Sequence, residues 1–163
     1  MRTGLEVGAE ACAQPAATAP PISRLRSGDR SILELIDRAT AQSLTFRMLR
    51  TRFEASDGIV YVEPGTCGHG VRACLLMWVK VSGPHRFLRI VVDRQTADSD
   101  VDLMGSIGHE LQHALEALTE PALTNGHKLY HFFNRYAPTD SNRFETMAAL
   151  NAGDSVRYEL RVR

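Results

Sequence analysis

The sequence predicts one α+β domain in which helices come first, a small and mostly antiparallel sheet of three or four strands follows, and helices complete the chain. Three patterns predict this layout: helical spacing of apolar residues before the sheet, short β-rich runs between turn residues, and helical spacing again afterwards. A chain of 163 residues suits a single core. We expect residues 1–28, rich in Ala, Pro, Gly and Ser, to be a disordered leader, and residues 29–163 to form the domain.

Two helices are predicted ahead of the sheet. Residues 31–41 carry aliphatic side chains at helical spacing, and residues 27–29 offer capping side chains in front of them. A second helix is expected to begin at Ser43, because aromatic and aliphatic side chains recur there every three or four residues. The Asp57-Gly58 pair ends it.

The sheet is predicted from three β-rich runs. Residues 59–62 form a short run that a Pro-Gly pair closes. Residues 74–81 and residues 87–93 are two further strands, and residues 82–85 between them, Ser-Gly-Pro-His, suit a hairpin turn. A hairpin makes this pair of strands antiparallel.

Three helices are predicted after the sheet. The first is capped by polar side chains at residues 98–100, continues through Leu118 and is ended by a proline. The second spans about residues 127–136. The last starts near residues 140–141 and extends to about Leu160.

Composition removes several classes of function. The formal net charge is zero, so no general electrostatic argument favours nucleic acid or an anionic membrane as a partner. Hydrophobic content of 44% and charged content of 23% are those of an ordinary globular protein. No apolar run approaches the roughly 20 residues that span a bilayer. The sequence contains no indication of an oligomeric state.

The compartment is not decided by the sequence. Residues 11–13, Ala-Cys-Ala, have the small-x-small form of an export cleavage site, but no apolar stretch precedes them. The chain as it begins here is therefore expected to be cytoplasmic, and export becomes the expectation if the true start lies upstream.

The cysteines leave two alternatives open. Cys67 and Cys74 flank a glycine-rich segment and either face each other as a disulfide or remain two free thiols. A metal cluster of these two cysteines with His69 lacks a fourth ligand at a suitable spacing.

The most informative motif is a His-Glu-x-x-His unit at His109, Glu110 and His113. Two imidazoles four positions apart share one face of a helix, so both can reach a single metal ion. The Glu110 carboxylate beside them can take a proton from a metal-activated water. The alternative is a surface helix with two incidental histidines, but the neighbouring residues carry no charge, which indicates a buried site.

A catalytic zinc ion usually takes a third protein ligand. Glu116 continues the same helical face but lies about 10 Å along the axis from His109, so a role as a surface acid or as support for a ligand suits it better than ligation. Glu145 is the stronger candidate, because a stripe of small residues at positions 148, 149, 152 and 153 lets its helix approach another closely. A plain exposed glutamate near a helix start is the alternative for Glu145.

The His-Glu-Leu-Gln-His motif with a downstream glutamate on a second helix resembles the gluzincin clan of zinc metallopeptidases, in particular the small single-domain members called minigluzincins. Residues 108–115 and 144–149 are also similar to uncharacterised bacterial proteins of this length, and the resemblance covers about residues 30–160. It implies a zincin-like fold, one Zn²⁺ ion and hydrolysis of peptide bonds.

The resemblance also implies residue roles. His109, His113 and Glu145 would be the zinc ligands, and Glu110 would be the general base. The strand at residues 87–93 would be an edge strand that lines the cleft and pairs with an extended peptide or protein substrate.

The chain departs from the best-known members at two positions. Phe144 and Ala149 stand where those members have an Asn and an Asp, so the group that orients a ligand imidazole must come from elsewhere. The stabiliser of a developing oxyanion is also unassigned, with Tyr158 and His131 as candidates. Two other hypotheses are therefore kept: a zinc-binding module that binds a partner without efficient turnover, and a helical domain without metal.

Overall fold

The computed structural model of the chain describes residues 22–68, 70–135 and 144–162. It confirms the α+β prediction: N-terminal helices, a mixed sheet and then three helices. In chain order the elements are β1 (Leu25–Arg26), α1 (Arg30–Gln42), α2 (Leu44–Glu54), β2 (Gly58–Pro64), β3 (Ala73–Ser82), β4 (His85–Val92), α3 (Asp100–Leu118), α4 (Gly126–Asn134) and α5 (Met147–Arg161).

The two N-terminal helices begin where their capping residues place them. The Asp29 carboxylate accepts hydrogen bonds from the backbone N–H groups of Ser31 and Ile32, which starts α1. Ser43 starts α2 by accepting from the Phe46 N–H. Each helix buries its apolar face in the core, with Phe46 fully buried.

The sheet has the strand order β1-β2-β4-β3. The β3–β4 hairpin is antiparallel as predicted, and its two-residue turn contains Gly83 at φ 56°. However, β2 pairs in parallel with both β1 and β4, so the sheet is mixed rather than mostly antiparallel. The strand β1 lies inside the segment expected to be a disordered leader, of which residues 1–21 fall outside the described residues. Helices α1 and α2 separate β1 from β2, and such a long crossover permits parallel pairing.

The expected position of the edge strand is wrong. Residues 87–93 fall largely in β4, which pairs with β2 on one side and with β3 on the other. Within the described residues, the strand with a single neighbour on this side of the sheet is β3. β4 is therefore paired along both of its edges, with Leu88, Ile90 and Val92 buried on one face and Phe87 and Arg89 half-buried on the other.

The C-terminal helices differ from the prediction at their ends. Ser99 caps α3 and Asn125 caps α4, which ends at Asn134. The last helix begins at Met147 behind the capping residue Thr146, not at residues 140–141, which lie outside the described residues. Glu145 therefore precedes α5 instead of lying in its first turns, because the Thr146 hydroxyl, which accepts from the Ala149 N–H, sets the helix start.

Helix α3 lies in the centre of the domain, between the sheet and α5, with Ile107 and Leu111 fully buried. The stripe of small residues on α5 brings the two helices together: Ala149, Ala152 and Gly153 are buried, whereas Ala148 is exposed. No helix in the described ranges is long and apolar enough to cross a membrane.

Candidate metal site

Helix α3 places its two histidines against each other inside the domain. The Nε2 atoms of His109 and His113 lie 3.1 Å apart, as expected for imidazoles one helical turn apart. Their side chains are 14% and 6% exposed, so the pair is not the solvated surface pair of the alternative interpretation. Phe133 covers the His113 ring edge-on at a centroid distance of 5.2 Å.

Glu145 completes a three-residue group. Its Oε2 atom lies 3.1 Å from His109 Nε2 and 4.0 Å from His113 Nε2. The potential ligand atoms of the three residues all lie within 4.8 Å of one another, an arrangement that could hold one metal ion. The sequence predicted Glu145 inside the last helix, whereas the residue lies just before α5. The structure nevertheless brings it together with His109 and His113.

Glu116 contacts the opposite side of the His113 ring. Its Oε2 atom lies 3.2 Å from His113 Nδ1, and its carboxylate also accepts from Gln112 Nε2 at 3.2 Å and from Thr146 Oγ1 at 2.8 Å. It thus contacts the His113 imidazole without belonging to the three-residue group, as the axial distance along α3 led us to expect. The best-known gluzincins have an Asp at the position of Ala149 to orient an imidazole. In this chain the Glu116 carboxylate contacts the His113 imidazole instead.

This contact determines which nitrogen of His113 can bind a metal. Burial tends to raise the pKa of Glu116, but hydrogen bonds from His113, Thr146 and Gln112 outweigh it and lower the pKa, so the carboxylate is ionised. An ionised carboxylate accepts only, so we assign the proton of His113 to Nδ1. The lone pair then lies on Nε2, the atom that faces His109 and Glu145.

The Glu110 carboxylate lies beside the group without belonging to it. Its Oε1 atom is 4.0 Å from His109 Nε2, and its Oε2 atom accepts a hydrogen bond of 2.8 Å from the backbone N–H of Leu75 on β3. Burial raises the pKa of Glu110, and the charges of His109 and His113 oppose that effect only in part. The result is a carboxylate that binds a proton more readily than an exposed glutamate does.

His109 is subject to opposing influences. Burial lowers the pKa of its imidazole, but the contact with Glu145 and the negative charges of Glu110 and Glu145 together raise it above the ordinary value. Three carboxylates surround the two imidazoles, so the site concentrates negative charge and attracts a cation.

A cavity of about 440 Å³ opens onto the three-residue group. One wall consists of residues 70–75 and Met77, from β3 and the loop before it, and the other comes from α3, α4 and α5. Two cations, Arg72 and Arg157, line it together with His109 and Glu110. A cavity of this size with few convergent polar groups is typical of a site for a small ligand or for part of a chain.

Sequence reasoning missed Arg157. Its guanidinium donates to Ser106 Oγ at 3.1 Å and to the Asp154 carboxylate at 3.1 Å, and its side chain passes close over Gly105. A signal was present: Arg157 lies four residues after Gly153, so the two share the face of α5 that packs on α3.

The two predicted oxyanion stabilisers are placed elsewhere. The Tyr158 side chain is 69% exposed, and His131 is an exposed residue of α4 that contacts His127. Neither belongs to the described residues that line the cavity.

Cys67 and Cys74 form a disulfide, with their Cα atoms 5.9 Å apart, which selects the first of the two alternatives for these residues. Cys74 lines the cavity one residue before Leu75, whose N–H holds Glu110. The disulfide therefore attaches the loop before β3 to the wall of the cavity. His69, considered with them as a metal ligand, lies outside the described residues.

Comparisons with known proteins found no family model, no curated protein and no solved structure that matches this chain. Its function has to be argued from the site alone.

Proposed function

We propose that the chain is a zinc-dependent peptidase of the gluzincin type. The observation that supports this proposal most directly is the position of Glu110, whose buried carboxylate lies 4.0 Å from a nitrogen of the three-residue group. A site that only stores or senses a metal has no need of a carboxylate outside the three-residue group that a backbone N–H holds at this distance.

The donor set suits zinc. Two imidazole nitrogens and one carboxylate oxygen are the ligands of many catalytic zinc sites, and three protein ligands leave a position for substrate. The Nδ1 proton of His113 is directed to Glu116, so His113 Nε2 needs no deprotonation before it binds a cation. When bound, zinc supplies Lewis-acid polarisation of a carbonyl and makes water more acidic.

Glu110 is the proposed general base and acid. The Leu75 N–H holds Oε2, which leaves Oε1 facing the ligand group, where it can accept a proton from water and pass it to the leaving amine. Burial raises the pKa of this carboxylate, which favours its acceptance of a proton.

Arg157 replaces Tyr158 and His131 in the proposed role of oxyanion stabiliser. Its guanidinium lies on the cavity wall, and both Arg157 Nη1 and His109 Cβ approach the place where Gly153 lacks a side chain. A cation there can attract the negative charge that develops on a carbonyl oxygen during attack.

The substrate is proposed to be an extended peptide. Strand β3 lines the cavity and, within the described residues, pairs only with β4. The start of α4 lies against Met77, so we place the added strand at the cavity end of the other edge of β3, around residues 73–75, where the Leu75 N–H is already donated to Glu110. This assignment moves the substrate-binding edge from residues 87–93 to β3.

The test compares wild type and Glu110→Gln in a digest of a mixed peptide library. We expect wild type to cleave peptides and 1,10-phenanthroline to stop it. The variant should keep its zinc and lose about 10²–10⁴-fold in rate, because the amide cannot accept the proton. Glu34→Gln, an exposed residue of α1, is the matched control and should cleave at the wild-type rate.

Equal cleavage by Glu110→Gln and wild type would contradict the role of Glu110. Bound zinc without any hydrolysis would favour the second hypothesis, a partner-binding module.

A further inference from the structure

We propose that α4 carries a second, accessory metal site, formed by His127 and His131 on its exposed face. The Nε2 atoms of the two residues lie 3.0 Å apart, and the ring centroids are 4.3 Å apart with an interplanar angle of 71°. These residues belong neither to the three-residue group nor to the lining of the cavity.

The geometry repeats that of the first histidine pair. His109 and His113 have Nε2 atoms 3.1 Å apart, centroids 4.8 Å apart and an angle of 78°. Both pairs are four residues apart on a helix, so the same backbone geometry directs both sets of ring nitrogens to one point. The pairs differ in burial, since His127 and His131 are exposed.

The helix that carries the pair is anchored to the core. Leu129, Phe132 and Phe133 of α4 are buried, and Asn125 caps the helix by accepting from the Lys128 N–H. At the helix start, a Cβ on Gly126 would clash with the Met77 carbonyl of β3, so backbone lies directly against backbone there. An anchored helix fixes the direction of both imidazoles before any ion binds, which reduces the entropic cost of chelation.

The chemistry of two imidazoles selects the ion. Imidazole nitrogens bind Zn²⁺, Ni²⁺ and Cu²⁺, whereas Ca²⁺ and Mg²⁺ require oxygen ligands. With two protein ligands in place of three, this site is expected to be weaker than the buried one and to keep open positions for water or another donor.

The inference is independent of the proposed peptidase activity. The face of α4 opposite the histidines supplies Phe133 to the cavity, so the accessory ion would lie on the outer side of a cavity wall and would not take part in the reaction. The proposal thus predicts two ions per chain, only one of which hydrolysis requires.

The test is a Zn²⁺ titration of the metal-free full chain, without a polyhistidine tag, by isothermal calorimetry. Wild type should bind two ions with different affinities. His127→Gln and His131→Gln should each lose the weaker event and keep the stronger one. His85→Gln is the matched control, because His85 lies on β4 next to Arg24, and it should retain both events.

A second measurement identifies the ligands. Cu²⁺ added to zinc-loaded protein should give an electron paramagnetic resonance signal with nitrogen coupling that His131→Gln abolishes. Circular dichroism shows whether each variant is folded, as expected for substitutions at exposed positions. The proposal is overturned if every binding event of wild type and the copper signal persist in His127→Gln and His131→Gln. A single event that both variants lose would instead contradict metal binding by the buried three-residue group. Loss of peptide cleavage alone would bear on Glu110 and not on this site.

Discussion

The two carboxyl groups that flank His113 along α3 have opposite properties although they belong to the same residue type. Burial raises the pKa of Glu110, although the hydrogen bond from the Leu75 N–H acts in the opposite direction. Glu116 accepts from three side chains, which lowers its pKa despite burial. Environment thus divides their roles: Glu110 is suited to exchange a proton, and Glu116 to hold an imidazole.

Substitution can separate the proposed roles of Glu145 and Glu116 in metal binding. In the proposed site, Glu145→Ala removes a ligand, whereas Glu116→Ala removes the carboxylate that holds the imidazole of His113. We expect Glu116→Ala to weaken zinc binding by about 10–100-fold and Glu145→Ala to weaken it further. Competition with a chromophoric chelator measures both affinities, and a larger loss in Glu116→Ala would reverse the assignment.

Residues of the site differed in how far the sequence could predict them. His109, Glu110 and His113 follow from helical periodicity alone, and Glu145 followed from the small residues behind it. The contact of the Leu75 N–H with Glu110 depends on how β3 packs against α3, which no local pattern contains, and Arg157 is marked in the sequence only by its four-residue spacing from Gly153. Tyr158 shows the difficulty. It follows Arg157 on α5, and one position along a helix rotates the side-chain direction by about 100°. Arg157 therefore lines the cavity, whereas Tyr158 is exposed.

At the scale of the elements, α3 is held at both ends. Ser99 caps its start, and Arg86 of β4 reaches its end, where the guanidinium donates to the carbonyls of Leu118 and Glu120 at 2.7 Å each. The same guanidinium donates to both oxygens of Asp57, at 2.7 and 2.9 Å. Arg86 therefore attaches the helix of the metal site to the sheet.

We predict that Arg86→Met destabilises the fold by about 2–3 kcal/mol, because it leaves the Asp57 carboxylate and two helix-end carbonyls without their donor. Urea unfolding measures the effect. Arg89→Met is the matched control on the same strand: its partner Glu63 is partly exposed, and the loss should stay below about 1 kcal/mol. Equal effects of the two substitutions would contradict the anchoring role of Arg86.

Glu159 of α5 stabilises the start of α2. Its carboxylate accepts from Ser43 Oγ, Thr45 Oγ1 and Thr45 N at 2.6, 2.7 and 3.0 Å. Burial tends to raise the pKa of Glu159, but these hydrogen bonds lower it below the ordinary 4.5. A group with a lowered folded-state pKa stabilises the protein above its unfolded-state pKa, and this contribution is lost as the pH falls through the folded-state pKa.

Glu159→Gln should therefore cost about 1–2 kcal/mol near neutral pH, and the difference from wild type should shrink at about pH 3. Chemical unfolding at the two pH values tests this, and a difference that grows on acidification would refute it. Glu34→Gln, on the exposed face of α1, should show no such dependence.

Helix starts were predicted well because capping side chains mark them. Strand order was predicted poorly because it depends on pairing between distant segments. The capping residues Asp29, Ser43 and Ser99 set helix starts within a residue or two of those expected. Strand β1 contains two residues, too few for a period to show, and it follows a segment rich in Ala and Pro. The order of strands depends on such pairings, which explains the misplaced edge.

At the scale of the whole molecule, His109, His113 and Glu145 come together because α5 lies close against α3. A Cβ added to Gly153 would lie 3.1 Å from His109 Cβ and 3.2 Å from the Gly105 carbonyl oxygen. Both distances are tighter than ordinary van der Waals contact, and one neighbour is backbone. The absence of a side chain at residue 153 therefore sets the distance between the two helices.

We predict that Gly153→Ala forces the helices apart, costs about 1–3 kcal/mol of stability and weakens zinc binding by moving Glu145 away from the imidazoles. Thermal unfolding and zinc titration measure the two effects. Asn151→Ala, on the exposed face of the same helix, is the control and should change neither. Wild-type zinc affinity in Gly153→Ala would show that the site does not depend on this approach.

The Cys67–Cys74 bond makes the shape of the cavity dependent on how the protein is produced. Expression in a reducing cytosol would yield the dithiol form, in which residues 68–73 are tethered only by their hydrogen bonds and packing. Preparations made with and without thiol reagents should thus differ in the wall next to Glu110 while sharing the same helices. Oxidation of purified material before any assay gives a uniform sample.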